Sequence, residues 1–141
     1  GIPIVIIEAK REFADYDTCL EAIKDIKEYE KRSPKLFNFI QFGITYGDEK
    51  RYMATLPNPE KREIKKKIEI WKNQEKIEDI FHLLEPFRVT EIVGDFIYFM
   101  KDRLGNLFKI VPRYIQYNAV KRALKRIESY LNENGKKSKG L

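Results

Sequence analysis

Residues 2–7, Ile-Pro-Ile-Val-Ile-Ile, are an unbroken apolar run that meets charge only at Glu8. A short β-branched run of this kind predicts a strand buried on both faces, as in the middle of an α/β sheet. From Thr18 the rhythm changes: Cys19, Ala22, Ile23, Ile26 and Tyr29 recur at steps of three and four, which predicts a helix over residues 18–31. Thr18 and Glu21 fit a capping box at its start, and Ser33-Pro34 stops it. Residues 37–46 (FNFIQFGITY) are aromatic and β-branched and predict a second strand, returned by residues 51–56 through a turn at Gly47-Asp48-Glu49.

Beyond Pro57-Asn58-Pro59 the pattern is less regular. Ile64, Ile68 and Trp71 have helical spacing, although Ile68-Glu69-Ile70 would equally suit a strand. Ile77, Ile80, Phe81 and Leu84 predict a helix over residues 75–84 that ends before Pro86. Residues 96–100 and 107–111 flank an Arg-Leu-Gly-Asn turn and predict a hairpin. Tyr117, Val120, Leu124, Ile127 and Leu131 then step by three and four, marking a helix over residues 116–132 that Asn134-Gly135 closes.

The 141 residues bound this to about one domain, with a core of its own. With 43% apolar and 35% charged residues the chain is not a disordered tail. No apolar run approaches the roughly 20 residues a bilayer span needs, so no membrane association is expected and the cytoplasm is the expected compartment. Charge is unevenly placed: residues 101–141 hold 11 basic and 3 acidic side chains, a balance of +8, against −2 for the first hundred. Attraction for nucleic acid should therefore come from the C-terminal segment, where Lys121, Arg122, Lys125 and Arg126 line the polar side of the last helix and could follow a DNA backbone. The same charges also suit a solvated helix face. Cys19, the single cysteine, excludes a disulfide framework and reads as a small core residue. His82 reads as a partly buried helix residue, and Lys65, Lys66 and Lys67, with Glu60, Glu63 and Glu69, as a salt-laced surface. Gly1 leads directly into the apolar run, which predicts a segment of something longer.

The strongest chemical signal is Glu8-Ala9-Lys10. Side chains alternate along a strand, so Glu8 and Lys10 share a face while Ala9 points away. The carboxylate can ligate a hard divalent cation, and the ammonium can position water and offset phosphate charge. The bland alternative is a strand end that turns polar as it leaves the core.

Context sharpens this. GIPIVIIEAK, the helix segment Asp25-Ile-Lys-Glu-Tyr29, LFNFIQFGITYGDEKRYMATL and KIVPRYIQYNAVKRA, in that order, resemble the N-terminal nuclease region of the R subunits of type I restriction-modification enzymes. That family belongs to the PD-(D/E)xK nucleases. The resemblance implies an α/β fold: a partial PD-(D/E)xK nuclease-like mixed sheet with flanking helices, then an α+β connector ending in a basic helix. It divides the chain into a nuclease part (1–58), a connector with helices and a hairpin (59–112) and a basic helix leading toward an ATPase (113–141). It implies Glu8 as a metal-ligating carboxylate, Lys10 as the catalytic lysine, the Ala9 carbonyl as a further ligand of Mg2+, and Tyr29 as the tyrosine of a Q-x-x-x-Y element tied to DNA handling. Asp25 stands where that element has glutamine. Gln116 would match the glutamine that reads the adenine of ATP, with Tyr114 beside it.

DNA and the methyltransferase and specificity subunits of the same system are the implied partners, and restriction of unmodified DNA with ATP-driven translocation is the implied activity. The family's second metal-binding carboxylate lies on a strand before the E-x-K strand. Its phosphate loop is not matched by Gly135-Lys-Lys-Ser-Lys-Gly140, whose spacing is wrong. The isolated chain is therefore expected to be inactive. The alternative reading is a non-catalytic DNA-binding or scaffold module that uses the basic last helix.

Overall fold

The computed structural model describes residues 1–11, 17–47, 50–57, 68–72 and 77–132. Strand β1 (Val5–Ala9) is followed by helix α1 (Thr18–Arg32), a 3-10 turn (Leu36–Asn38), and strands β2 (Phe42–Tyr46), β3 (Arg51–Ala54) and β4 (Ile68–Glu69). Then come helices α2 (Ile77–Leu84) and α3 (Pro86–Glu91), a π-helical turn (Ile92–Phe96), the hairpin β5 (Tyr98–Lys101) and β6 (Leu107–Ile110), and helix α4 (Tyr114–Asn132). The four-stranded sheet has the order β1-β2-β3-β4, with β1 parallel to β2 and the remaining pairs antiparallel. The expected mixed α/β architecture is present, and α1 supplies the crossover that a parallel pair requires.

Strand alternation sorts the core into two layers. Gly43 and Met53 lie opposite each other and, with Ile6, face α1, whose Cys19, Ile23 and Ile26 are buried. Gly43 gives α1 room: a Cβ there would sit 3.2 Å from the Ile26 side chain. The other face carries Val5, Phe42, Ile44, Tyr52 and Ala54, covered by Trp71, Ile80, Leu83, Ile92, Phe96, Val111 and Tyr117. This larger core draws on residues before 58, between 59 and 112, and beyond 113, so the three segments read from sequence share one apolar layer.

Several expectations are corrected. The first strand begins at Val5 rather than Ile2 and lies at the sheet edge among the described residues, so Ile7 is 50% exposed instead of buried on both faces. Asp17, not Thr18, caps α1: its carboxylate accepts from the Leu20 amide at 3.0 Å, while Thr18 is buried. The strand expected over 37–46 starts only at Phe42. Its first residues coil into the 3-10 turn because Phe37 and Ile40, three apart, both turn inward to meet Ile26. Residues 86–95, where the periodicity predicts no element, are helical, and Phe96 ends the π-helical turn so that the first hairpin strand starts at Tyr98.

The ambiguous Ile68-Glu69-Ile70 stretch resolves as strand, and Cys19 is the small core residue expected, its Sγ 3.3 Å from Thr45 Oγ1. The hairpin turn is organised by Asp102, whose carboxylate accepts from the amides of Leu104 and Asn106, with Gly105 at φ +83°. The apolar stripe of α4 is packed only at its first turns. Tyr117 is buried, but Val120, Leu124, Ile127 and Leu131 are exposed. The turn residues Asp48 and Glu49, Asn58, Pro59, Lys65 to Lys67 and the Gly135-to-Gly140 loop lie outside the described residues.

The hairpin is tied to the sheet by Lys109, 5% exposed, whose Nζ donates to the Ile40 carbonyl at 3.0 Å and to Thr55 Oγ1 at 3.2 Å. Burial lowers its pKa to about 8, against the opposing pull of Glu30. Glu30 is itself buried, bonded to Lys27 at 2.6 Å and to the Leu56 amide at 3.1 Å. Nothing in the alternation LFKI marks Lys109 as an inward residue.

Candidate active site

The same alternation that buries Ile6 against α1 brings Glu8 and Lys10 onto that face two and four residues later, where the sheet runs out from under the helix. The Lys10 amide donates to the Tyr46 carbonyl at 2.7 Å, continuing the parallel ladder and fixing the side chain's direction. Lys10 Nζ lies 3.4 Å from Glu8 Oε1 and bonds the carboxylate of Asp25 on α1. One helical turn on, Tyr29 stands near Glu8, whose charge acts on its hydroxyl.

These contacts set the electrostatics. The bond to Asp25, aided by the charges of Asp25 and Glu21, holds the Lys10 pKa well above the usual ammonium range. The Glu8 charge, together with burial, pushes the Tyr29 hydroxyl pKa upward. Lys10 is thus a fixed cation, and Tyr29 a neutral donor, throughout the physiological range. Next to the cluster, Gly47 permits close approach: a Cβ there would collide with Thr18 Oγ1 and lie 3.8 Å from the Lys10 side chain.

Among the described residues no group of three or more His, Cys, Asp or Glu side chains converges in a way that could hold a metal. Two carboxylates, Glu8 and Asp25, do converge, on the Lys10 ammonium. Hard oxygen donors of this type suit Mg2+, which keeps several waters and commonly takes one or two carboxylates plus substrate phosphate. The donor chemistry therefore fits the ion the resemblance implies. Ala9 points to the opposite face of β1 and is exposed, leaving its backbone carbonyl as the only group it offers.

The remaining expected residues lie elsewhere. Tyr114 is half-buried with its ring 5.1 Å from that of Trp71, within the aromatic core on the other face of the sheet. Gln116 is exposed, and its Oε1 accepts from the Arg113 amide at 2.9 Å, closing the first turn of α4 as the third residue of a capping box does. Lys121 pairs with Glu91, which also accepts from the Tyr117 hydroxyl at 2.6 Å. Both bonds hold Glu91 below the usual carboxylate range, the Lys121 bond being the stronger cause. Arg122, Lys125 and Arg126 are exposed on the projecting part of α4. The fold thus gathers Glu8, Lys10 and Tyr29, adds Asp25, and leaves the C-terminal candidates apart from them. His82 is partly buried as expected, and its Nδ1 accepts from Trp71 Nε1 at 3.0 Å.

Residues 1–62 match the family described as the type I restriction enzyme R protein N terminus. That segment belongs to the family. Over its whole length it is 55% identical to a Methanocaldococcus jannaschii protein named as the MjaVIIIP endonuclease subunit of a type I restriction enzyme. It is 44% identical, over 151 aligned residues, to a second protein of that organism, named as the MjaVIIP endonuclease subunit. The chain spans 14% of the length of each relative. No solved structure matches it. The R-protein match covers β1, α1, β2 and β3 and so includes Glu8, Lys10, Asp25 and Tyr29. None of the helices among the described residues is long and apolar enough to cross a membrane.

Proposed function

We propose that this chain forms part of the nuclease centre of a type I restriction subunit, a PD-(D/E)xK-type site in which Glu8 and Lys10 serve Mg2+-dependent hydrolysis of unmodified DNA. The observation that carries the reading is the cluster itself: a strand carboxylate and lysine share one face, facing a helix carboxylate and a tyrosine, within the segment matched to the R-protein family.

In this reading Glu8 and the Ala9 carbonyl would hold the cation, which would supply the polarisation that makes water a nucleophile toward phosphorus. Lys10, kept protonated, faces the phosphate and offsets its charge without giving up a proton. Tyr29 steadies Glu8 and lies where DNA would pass. Arg122, Lys125 and Arg126, with Lys121, offer a second cationic stretch to the DNA backbone. ATP would be met by Gln116 and Tyr114 in the translocating subunit. There the Gln116 Oε1 is committed to the Arg113 amide, so its NH2 group is the donor left for adenine. The methyltransferase and specificity subunits are the proposed partners.

The test uses the intact subunit assembled with those partners. Lys10→Ala should cut Mg2+-dependent cleavage of unmodified DNA by at least about a hundredfold and leave ATP hydrolysis in place, whereas Gln116→Ala should impair ATP hydrolysis. Cleavage by Lys10→Ala at the wild-type rate would overturn the assignment. The 141-residue chain alone should not nick DNA.

A further inference from the structure

Resting on the nuclease reading but going beyond it, we infer that Asp25 is the positioning residue for Lys10: it makes the closer contact and turns the ammonium toward α1, so that Lys10 is not held by Glu8 alone. The carrying observation is a match of two spacings. On α1, residues 25 and 29 are one turn apart and share a face, with Cβ atoms about 5–6 Å apart. On β1, residues 8 and 10 share a face about 6–7 Å apart. Because helix and strand run in opposite directions across the crossover, position 25 falls beside Lys10 and position 29 beside Glu8. Asp25 bonds Lys10, and Tyr29 stands near enough to Glu8 to feel its charge. Each member of the strand pair therefore faces its own residue from the helix.

The strand alone would not give this arrangement. Lys10 has a flexible four-carbon stem, and its nearest carboxylate on β1 is Glu8, at 3.4 Å. Without a competitor the ammonium would close onto Glu8 and occupy the oxygens a cation needs. Asp25 makes the closer contact and turns the ammonium toward α1. A glutamine at this position, as in the Q-x-x-x-Y element, could offer only a neutral carbonyl to the lysine, so the carboxylate here holds it with charge as well as with a hydrogen bond.

The experiment compares Asp25→Asn, Asp25→Ala and Asp25→Glu with Lys10→Ala in the assembled subunit, on unmodified DNA with Mg2+. Asp25→Asn and Asp25→Ala should lower kcat for cleavage about a hundredfold, the size expected when a reacting group is misplaced by about an ångström. KM for DNA and ATP hydrolysis should hold, and Asp25→Glu should recover most of the rate. In the 141-residue chain, the Lys10 ammonium should give a resolved proton–nitrogen signal by NMR that Asp25→Asn abolishes. If Lys10→Ala is inactive while Asp25→Ala cleaves at the wild-type rate, the positioning role fails and the nuclease reading stands. Equal losses in cleavage, KM and ATP hydrolysis would likewise overturn it, in favour of a purely structural part. If Lys10→Ala cleaves normally, the nuclease reading falls by itself. A Lys10 signal that persists in Asp25→Asn then overturns the positioning geometry, and its loss supports that geometry.

Discussion

On the face of the sheet that meets α1, the apolar layer is thin and gives way two and four residues after Ile6 to Glu8 and Lys10. On the opposite face Trp71 sits among Tyr52, Tyr114 and Tyr117, with ring centroids 5.8, 5.1 and 5.4 Å away. There the polar atoms are turned to use at the edges: the Tyr52 hydroxyl donates to the Pro112 carbonyl at 2.7 Å, and Trp71 donates to His82. The strands and their alternation are common to both faces, and the difference lies in what covers them. A single helix leaves the end of β1 uncovered, where charges can stay hydrated and approach a ligand. Residues from Trp71 to α4 enclose the centre of the other face, where an unpaired charge would be costly, and leave its β1 edge at Ile7 and Ala9 exposed. The larger apolar core lies on the aromatic face and the proposed chemistry on the face beneath α1.

That division can be broken most directly at Trp71, which is 1% exposed. Trp71→Ala should cost about 3–5 kcal/mol in a denaturant titration, and a loss near zero would mean that the aromatic layer is not the stabilising one. A smaller effect is expected beside the candidate site. Gly47→Ala must displace the buried, β-branched Thr18 and should cost about 1–3 kcal/mol, measured the same way, with Gly47→Ser no better.

The third test is a pH profile. Burial, followed by the charges of Arg88 and Lys72, lowers the His82 pKa below 6.5, against the weaker opposing pull of Glu85 and Asp79. Trp71 N–H can only donate, so His82 Nδ1 must stay unprotonated to accept. The unfolded chain then binds the proton more readily than the folded one. The contribution is present above pH 6.5 and is lost as the pH falls toward the folded-state value. The melting temperature should fall through that window, and the fall should be reduced in His82→Gln. The smallest effect is expected at Lys10: Lys10→Ala should leave the melting temperature essentially unchanged, because the side chain is at the surface end of the strand. A large shift there would erase the contrast between the faces.

The helix over residues 18–32, the β2–β3 return and the 98–110 hairpin were legible because each rests on local periodicity or a turn signal that acts within a few residues. So was the likeness of Glu8, Lys10 and Tyr29 to a nuclease strand and helix. The edge position of β1 was not legible, since burial on both faces and burial on one differ only in what lies beyond the strand. Phe37 and Ile40 misled for a related reason: aromatic and β-branched types favour a strand, but packing against Ile26 favoured a turn.

The sequence by itself determined that Glu8 and Lys10 would share a face and that positions 25 and 29 would share another, because periods of two and 3.6 are properties of the backbone. Only the tertiary structure decided that these two faces meet, with Asp25 at Lys10 and Tyr29 at Glu8. It also decided that Lys109, flanked by apolar neighbours in an exposed-looking hairpin, turns inward to the Ile40 carbonyl and Thr55. Contacts between residues 15 or 69 positions apart depend on how helices and strands dock, and that is settled by the whole apolar core rather than by any local stretch of chain.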